Sequence, residues 1–386
     1  MRYVSRLLDP ELLKARHHFP AVILTGPRRA GKTTLLRHLL PTASYTLLED
    51  PDLIARTQFD PHAFLDGLRL PAILDEIQHV PELFAHIRAR IDRNPRRGMW
   101  WLTGSQEAPL MRGVTESMAG RAAVFQLFPF SIRESAKVSL FRGGFPEIIA
   151  RPTAAEMWFR SYVQTYLERD VRAISSIRDL ATFRRFLALV ASRCGQILNK
   201  TDLAAPLGVS VPTISEWLSI LEVTGQIFLV PPFYENFGKR LIKSPKLYFT
   251  DSGVACHLLG LESLRALNTS AFLGPVFEGF VAAEVAKQRS HTGRAKGLYY
   301  FRDQQGLEVD FVVTLPNRRL LLLEAKATTT PRPEMATSIA RLAKSITGYQ
   351  VSGALVHRSA SREPEMDALY PGVKAVALGR LHEVLM

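Results

Sequence analysis

The chain has 386 residues, 47% of them hydrophobic and 22% charged, an ordinary globular composition that excludes disordered and fibrous classes. That length predicts two or three domains. Its 49 Lys and Arg against 36 Asp and Glu leave a net charge of +13, which predicts a polyanionic partner and favours nucleic acid over a membrane. No apolar run reaches the ~18–20 residues of a bilayer span, and the opening stretch MRYVSRLLDPELLKARHHFP lacks the apolar block of a signal peptide. Two distant cysteines, Cys194 and Cys256, predict buried thiols in a reducing cytoplasm, neither a disulfide framework nor a zinc site.

From about 20 to 130, short apolar runs (AVILTG, AILDE, MWWLTGS, AVFQLFPF) alternate with helical patterns. That alternation predicts a parallel α/β sheet. GPRRAGKT at 26–33 matches G-x-x-x-x-G-K-[ST] between a predicted strand and a predicted helix. Gly26 and Gly31 would let the loop they bound, with Pro27, Arg28, Arg29 and Ala30 between them, turn its backbone N–H groups around phosphate oxygens, with Thr34 in the first helical turn. Lys32 would reach the β- and γ-phosphates of ATP, and Thr33 would hold Mg²⁺. AILDE supplies Asp75 as a second Mg²⁺ anchor and Glu76 to polarise the attacking water; the other reading of the pair is a helix N-cap. Ser105, and less so Thr103, ends the third core strand where a polar side chain would sense the γ-phosphate. Arg121, in SMAGRAAVF, would stabilise phosphoryl charge in a neighbouring subunit, which predicts a homo-oligomer; as a surface arginine it would do nothing of the kind.

From 153 to 195 the pattern turns helical, after the turn RGGFPE. LNKTDLAAPLGVSVPTISEWLSILEVTG predicts a helix, a turn at Gly208 and a second helix opened by Ser210 or Thr213, then a strand. This is a helix–turn–helix with a wing. Lys239, Arg240, Lys243 and Lys246 are expected near the tip of that wing, suited to DNA phosphates; the alternative is a module that only packs domains together. Further on, LLLLEAKA predicts a central strand on which Glu324 and Lys326 share one face, two residues apart. Asp310 ends the apolar LEVD on the preceding strand, and Glu278 sits on the helix FEGFVAAEVAKQ. Two readings stand at this point, a salt bridge between Glu324 and Lys326 or a divalent-metal site that also needs Asp310.

GPRRAGKTTLL, LDEIQ, LTGS and AGR, in this order, resemble a prokaryotic AAA+-type ATPase family whose members continue into a DUF4143 domain. GGFPE, YLERDV, KSPKLYFTDSGV, FEGFVAAE, YYFRDQQGLEVDFVV and LLLLEAKA extend the resemblance over nearly the whole chain. The Glu, Asp, Glu-x-Lys set is similar to the PD-(D/E)XK nuclease core, with Val309 in place of the proline before the acid. The resemblance implies Asp310 and Glu324 as ligands of Mg²⁺ or Mn²⁺, Lys326 to position a water and Glu278 as an auxiliary acid. The expected architecture is α/β: a P-loop AAA+-type ATPase domain at 1–135, a helical connector at 136–195, a winged helix at 196–255 and a restriction-endonuclease-like domain at 256–386. The expected function is an oligomeric ATP-hydrolysing motor acting on branched or non-standard DNA, with a nuclease-like domain that binds or cleaves it. The alternative is a nucleotide-switched regulator of DNA or a partner, carrying an inert nuclease fold.

Overall fold

A computed structural model describes residues 3–104, 117–167, 180–233, 244–359 and 366–385. Ser105, Lys239, Arg240 and Lys243 lie outside the described residues. Five strands form the first sheet: β1 (Ala21–Thr25), β2 (Ser44–Leu47), β3 (Ala72–Asp75), β4 (Trp100–Thr103) and β5 (Ala122–Gln126). They run parallel in the order β2-β3-β4-β1-β5. In β1, AVILT is buried throughout, as expected of a central parallel strand covered on both faces. Alternate side chains serve the two faces. Ala21, Ile23, Leu74, Trp100 and Leu102 pack with the helix Leu83–Arg93, whereas Val22, Leu24, Ile73 and Trp101 pack with the helices Asp9–His18 and Lys32–Leu39.

The middle of the chain is helical. Ala155–Tyr162, Leu180–Ser192, Lys200–Ala204 and Val211–Val223 lead into a two-stranded antiparallel sheet, β6 (Ile227–Val230) and β7 (Lys246–Phe249). The turn between the third and fourth of these helices carries Gly208 at φ 66°, a left-handed conformation that glycine adopts at little cost. Ser210 then caps the fourth helix, its hydroxyl accepting from the Thr213 N–H.

The second large sheet has six strands: β8 (Leu298–Arg302), β9 (Glu308–Leu315), β10 (Arg319–Lys326), β11 (Gln350–His357), β12 (Met366–Tyr370) and β13 (Val373–Ala377). Their order is β12-β13-β11-β10-β9-β8. β9 and β10 form an antiparallel hairpin, while β10 runs parallel to β11. The 19-residue helix Leu273–His291 lies against one face and Thr337–Ser345 against the other. One continuous hydrophobic cluster runs from Phe145 through the middle helices and β6–β7 to this sheet. The chain is thus an α/β protein of two large sheets joined by a helical segment that shares its core with the second. Among the described residues, no helix is long and apolar enough to cross a membrane.

Candidate functional site

The loop after β1 is shaped by its glycines. Gly26 sits at φ 139°, where a Cβ would run into the Leu127 backbone, and Gly31 at φ 99° caps the helix Lys32–Leu39. Arg29 also takes a left-handed conformation, φ 64°, which is uncommon outside glycine. The turned loop and the helix N-terminus create a concave set of N–H groups. Lys32 is buried, its Nζ donating to the carbonyls of Gly26 (3.0 Å) and Pro27 (3.1 Å). A cleft of about 550 Å³ opens over this loop, lined among others by Arg28, Arg29, Lys32, Thr33, Thr34 and Glu76.

Asp75 ends β3 directly beneath. Its Oδ2 accepts from the Thr33 hydroxyl at 2.6 Å and from the Tyr45 hydroxyl at 2.9 Å, and its Oδ1 accepts from Thr103. Three hydroxyls therefore hold a buried carboxylate in place, as burial of a charge requires. Thr33 and Asp75 together present hard oxygens, the donor type that Mg²⁺ takes. Thr103 donates to Asp75 and accepts the Glu76 N–H at 3.4 Å. Glu76 follows in a left-handed conformation, φ 57°, and its Oε2 accepts from Gln78 at 2.5 Å. Glu49, Glu76 and His79 each bring one donor atom within 4.8 Å of the others at this rim. Neither Glu49 nor His79 lies in a motif that marks it for such a role.

Arg121 is not part of this cleft. Its carbonyl accepts from Ala21 N at the start of β1, the opposite end of that strand from the phosphate loop. Its side chain is 36% exposed and pairs with Asp92 at 2.5 Å. Five strand residues at ~3.3 Å each separate it from its own cradle.

Beneath the phosphate loop lies a buried network whose partners lie far apart in the chain. Arg6 donates to the Ala30 carbonyl (3.2 Å), to the Phe128 carbonyl (2.6 Å) and to Glu134 (3.0 Å). His291, at the end of the Leu273–His291 helix, comes within 3.2 Å of Glu134 and accepts from the Phe128 N–H at 3.0 Å. Lys287, one turn earlier, donates to the Phe130 carbonyl at 3.2 Å and to Glu284 at 3.1 Å. Burial alone would raise the Glu134 pKa, but His291 and Arg6 hold it well below the usual carboxylate range. The middle segment also touches the loop, through the Tyr162 hydroxyl at 3.5 Å from the Arg28 carbonyl.

The second group of predicted residues gathers at the β9–β10 hairpin. Glu324 and Lys326 share a face and pair at 2.8 Å. Asp310 accepts the Ala325 N–H at 2.9 Å. Glu278 comes in from the Leu273–His291 helix, its Oε1 accepting from the Tyr248 hydroxyl at 2.6 Å. Burial first, and then the Asp310 charge, push Glu278 and Glu324 each up to about 7.

Lys246 requires a correction. The sequence placed it near an exposed wing tip, for phosphate contacts; it is instead 3% exposed on β7, inside the acidic cluster. Its Nζ is 3.1 Å from Glu278, 2.8 Å from Glu308 and 4.0 Å from Asp310. Burial would lower the Lys246 pKa, yet these three acids hold it above its ordinary value. The sequence cue was there in the alternation of K-L-Y-F, which sends Lys246 and Tyr248 to one face of the strand.

Three family models match consecutive segments of the chain. They are an AAA domain over residues 18–136, a domain of unknown function (DUF8612) over 133–265 and a domain of unknown function (DUF4143) over 273–379. Uncharacterized proteins of Mycobacterium tuberculosis and Mycobacterium bovis are each 33% identical over 385 residues, spanning 97% of this chain and 85% of theirs. Among solved structures, the Walker-type ATPase of Pyrococcus abyssi matches at 17% identity and a TM-score of 0.44, covering 66% of this chain and 96% of that one. The RuvB Holliday junction branch migration motor of Thermotoga maritima matches at 19% identity and a TM-score of 0.31, over 58% and 89%. With an AAA domain that carries the phosphate loop and a DUF4143 domain that carries the six-stranded sheet, the chain belongs to the family of AAA-type P-loop ATPases with a C-terminal DUF4143 domain, together with its mycobacterial relatives.

Proposed function

We propose that this chain hydrolyses ATP with Mg²⁺, as an oligomer, and uses the cycle to act on DNA, which its nuclease-like C-terminal domain binds without cutting. The observation that carries the ATPase reading is the Thr33 hydroxyl 2.6 Å from Asp75, beside the buried Lys32 in a glycine-turned loop. Thr33 and Asp75 would hold the Mg²⁺, which neutralises phosphate charge when bound. Lys32 would exchange the Gly26 and Pro27 carbonyls for phosphate oxygens, and Glu76 would orient and polarise the attacking water. Arg121 lies too far from its own cradle to serve it, which supports a role in a neighbouring subunit. Ser105 remains the candidate for sensing the γ-phosphate.

The net charge of +13 and a helix–turn–helix followed by a two-stranded wing support DNA as the partner. Binding without cutting is favoured by the acidic cluster, where Asp310 and Glu324 are each 7% exposed and Lys246 already sits among the acids. The decisive experiment measures ATP hydrolysis with and without linear, forked and four-way DNA, while gels follow the DNA in Mg²⁺ or Mn²⁺. The expected result is hydrolysis that DNA stimulates and DNA that stays intact. Hydrolysis indifferent to every DNA would replace the DNA motor by a partner-switched regulator. Cleavage lost in Asp310→Asn would establish a working nuclease.

A further inference from the structure

A divalent ion in the acidic cluster would need carboxylate oxygens turned toward a common centre. Here they are committed elsewhere. Asp310 Oδ2 accepts the Ala325 N–H, Glu278 Oε1 accepts from Tyr248 and Lys246, and Glu324 Oε1 accepts from Lys326. Among the described residues, the donor atoms of Glu278, Asp310 and Glu324 are not gathered within 4.8 Å of one another, as those of Glu49, Glu76 and His79 are. The space between Glu278, Glu308 and Asp310 is held by the Lys246 ammonium, and Arg302 adds a second positive group 3.4 Å from Glu308. The residues as they stand do not fit the metal that the nuclease resemblance implies.

We propose that Lys246 is the resident cation of this cluster: its ammonium neutralises the acids in place of a divalent metal and clasps β7 to the β9–β10 sheet. Two observations and one physical argument support the substitution. The ammonium is 3% exposed, so it has exchanged water for carboxylates and cannot swing out without losing them. It comes from β7, which pairs with β6 and not with the six-stranded sheet, so its charge ties the middle segment to that sheet. A divalent ion within a few ångströms of it would meet like charge in a poorly solvated setting. The cluster nevertheless retains one unsatisfied acceptor, the buried Glu324 Oε2. Removing Lys246 would therefore leave Glu278, Glu308 and Asp310 without the ammonium they share, next to a Glu324 oxygen ready for a metal.

The test uses the full chain and Mn²⁺ alone, followed by calorimetry and by thermal unfolding. In the wild type, the Mn²⁺ response should be unchanged by Asp310→Asn, since any Mn²⁺ taken up sits elsewhere. Lys246→Gln should gain Mn²⁺ binding, since the like charge is gone, and the added Asp310→Asn should abolish that gain. Lys246→Arg, which keeps the positive charge, should gain nothing. A wild-type Mn²⁺ response that disappears in Asp310→Asn overturns the proposal. That comparison decides the matter even if Lys246→Gln does not fold, and it is independent of whether the chain hydrolyses ATP.

Discussion

Replacing Arg6 with alanine would take the centre out of the network beneath the phosphate loop. The side chains of Arg6 and Glu134 are 2% and 1% exposed, and they pair at 3.0 Å. The same guanidinium serves the Ala30 and Phe128 carbonyls and lies 4.3 Å above the Phe130 ring. Breaking a buried pair by deleting one partner costs about 3–5 kcal/mol, because the survivor is left as an uncompensated buried charge. Glu134 would keep the N–H groups of Leu7 and Ser131 and its contact with His291, which sets the expectation at the lower end, about 3 kcal/mol. In Arg6→Ala/Glu134→Gln neither charge is left alone, so the double variant should cost less than its single changes together, by about 0.5–3 kcal/mol. Urea unfolding followed by fluorescence of Trp100 and Trp101, buried in β4, measures all four corners of the cycle. Because Arg6 braces the Ala30 carbonyl, Arg6→Ala should also weaken ATP binding while Lys32 is untouched. A loss below about 1 kcal/mol, or strict additivity, would refute the assignment of the pair as a structural ion pair.

Lys32→Ala should abolish nucleotide binding, whereas Glu76→Gln should bind ATP and fail to hydrolyse it; equal loss of binding in a filter assay would remove Glu76 from the water-polarising role. Mixing Arg121→Ala with Glu76→Gln protein should restore part of the hydrolysis, each subunit lending what the other lacks, and hydrolysis per subunit that is constant on dilution would argue against a shared site. His291 is held below the ordinary imidazole value of 6.5, chiefly by desolvation and against the pull of Glu134, while Arg6 and Lys287 add to the depression. Its contribution to stability is thus present above pH ~6.5 and lost as pH falls through the lower folded value; His291→Gln should flatten that part of the stability curve. Glu324 is raised instead, to about 7, so its contribution is present at low pH and lost as pH rises through 7. Urea melts at pH 5 and pH 8 should show Glu324→Gln gaining on the wild type only at the higher pH.

The phosphate loop was legible because its chemistry is contiguous: eight residues, one turn and one helix start dictate one another. The apolar strands of the first sheet were legible for a related reason, since a strand covered on both faces must be apolar throughout. Glu324 and Lys326 could be placed on one face from the two-residue period alone. The networks were not legible, because their partners lie far apart in sequence. Arg6 and Glu134 are 128 residues apart, Phe128 and His291 163. The polar side chains late in the helix Leu273–His291 were not legible either. Glu284, Lys287, Gln288, Arg289 and His291 would read as a solvated face, yet all are buried, because polar partners on other segments surround them. Lys246 misled in the same way, a lysine near a basic turn that belongs to a buried acidic cluster.

That helix is also a strut. Its 19 residues, at about 1.5 Å each, make a rod of roughly 28 Å without an internal proline kink beyond its first turn. Glu278, near one end, is fastened to Lys246 and Tyr248; Lys287, Ser290 and His291, at the other, are fastened to Phe130, Gln126 and Phe128 on the segment that leaves β5. A rod pinned at both ends cannot absorb a displacement by bending at a loop. One helix thus joins the segment behind the phosphate loop to the acidic cluster, and the two places share a structural element.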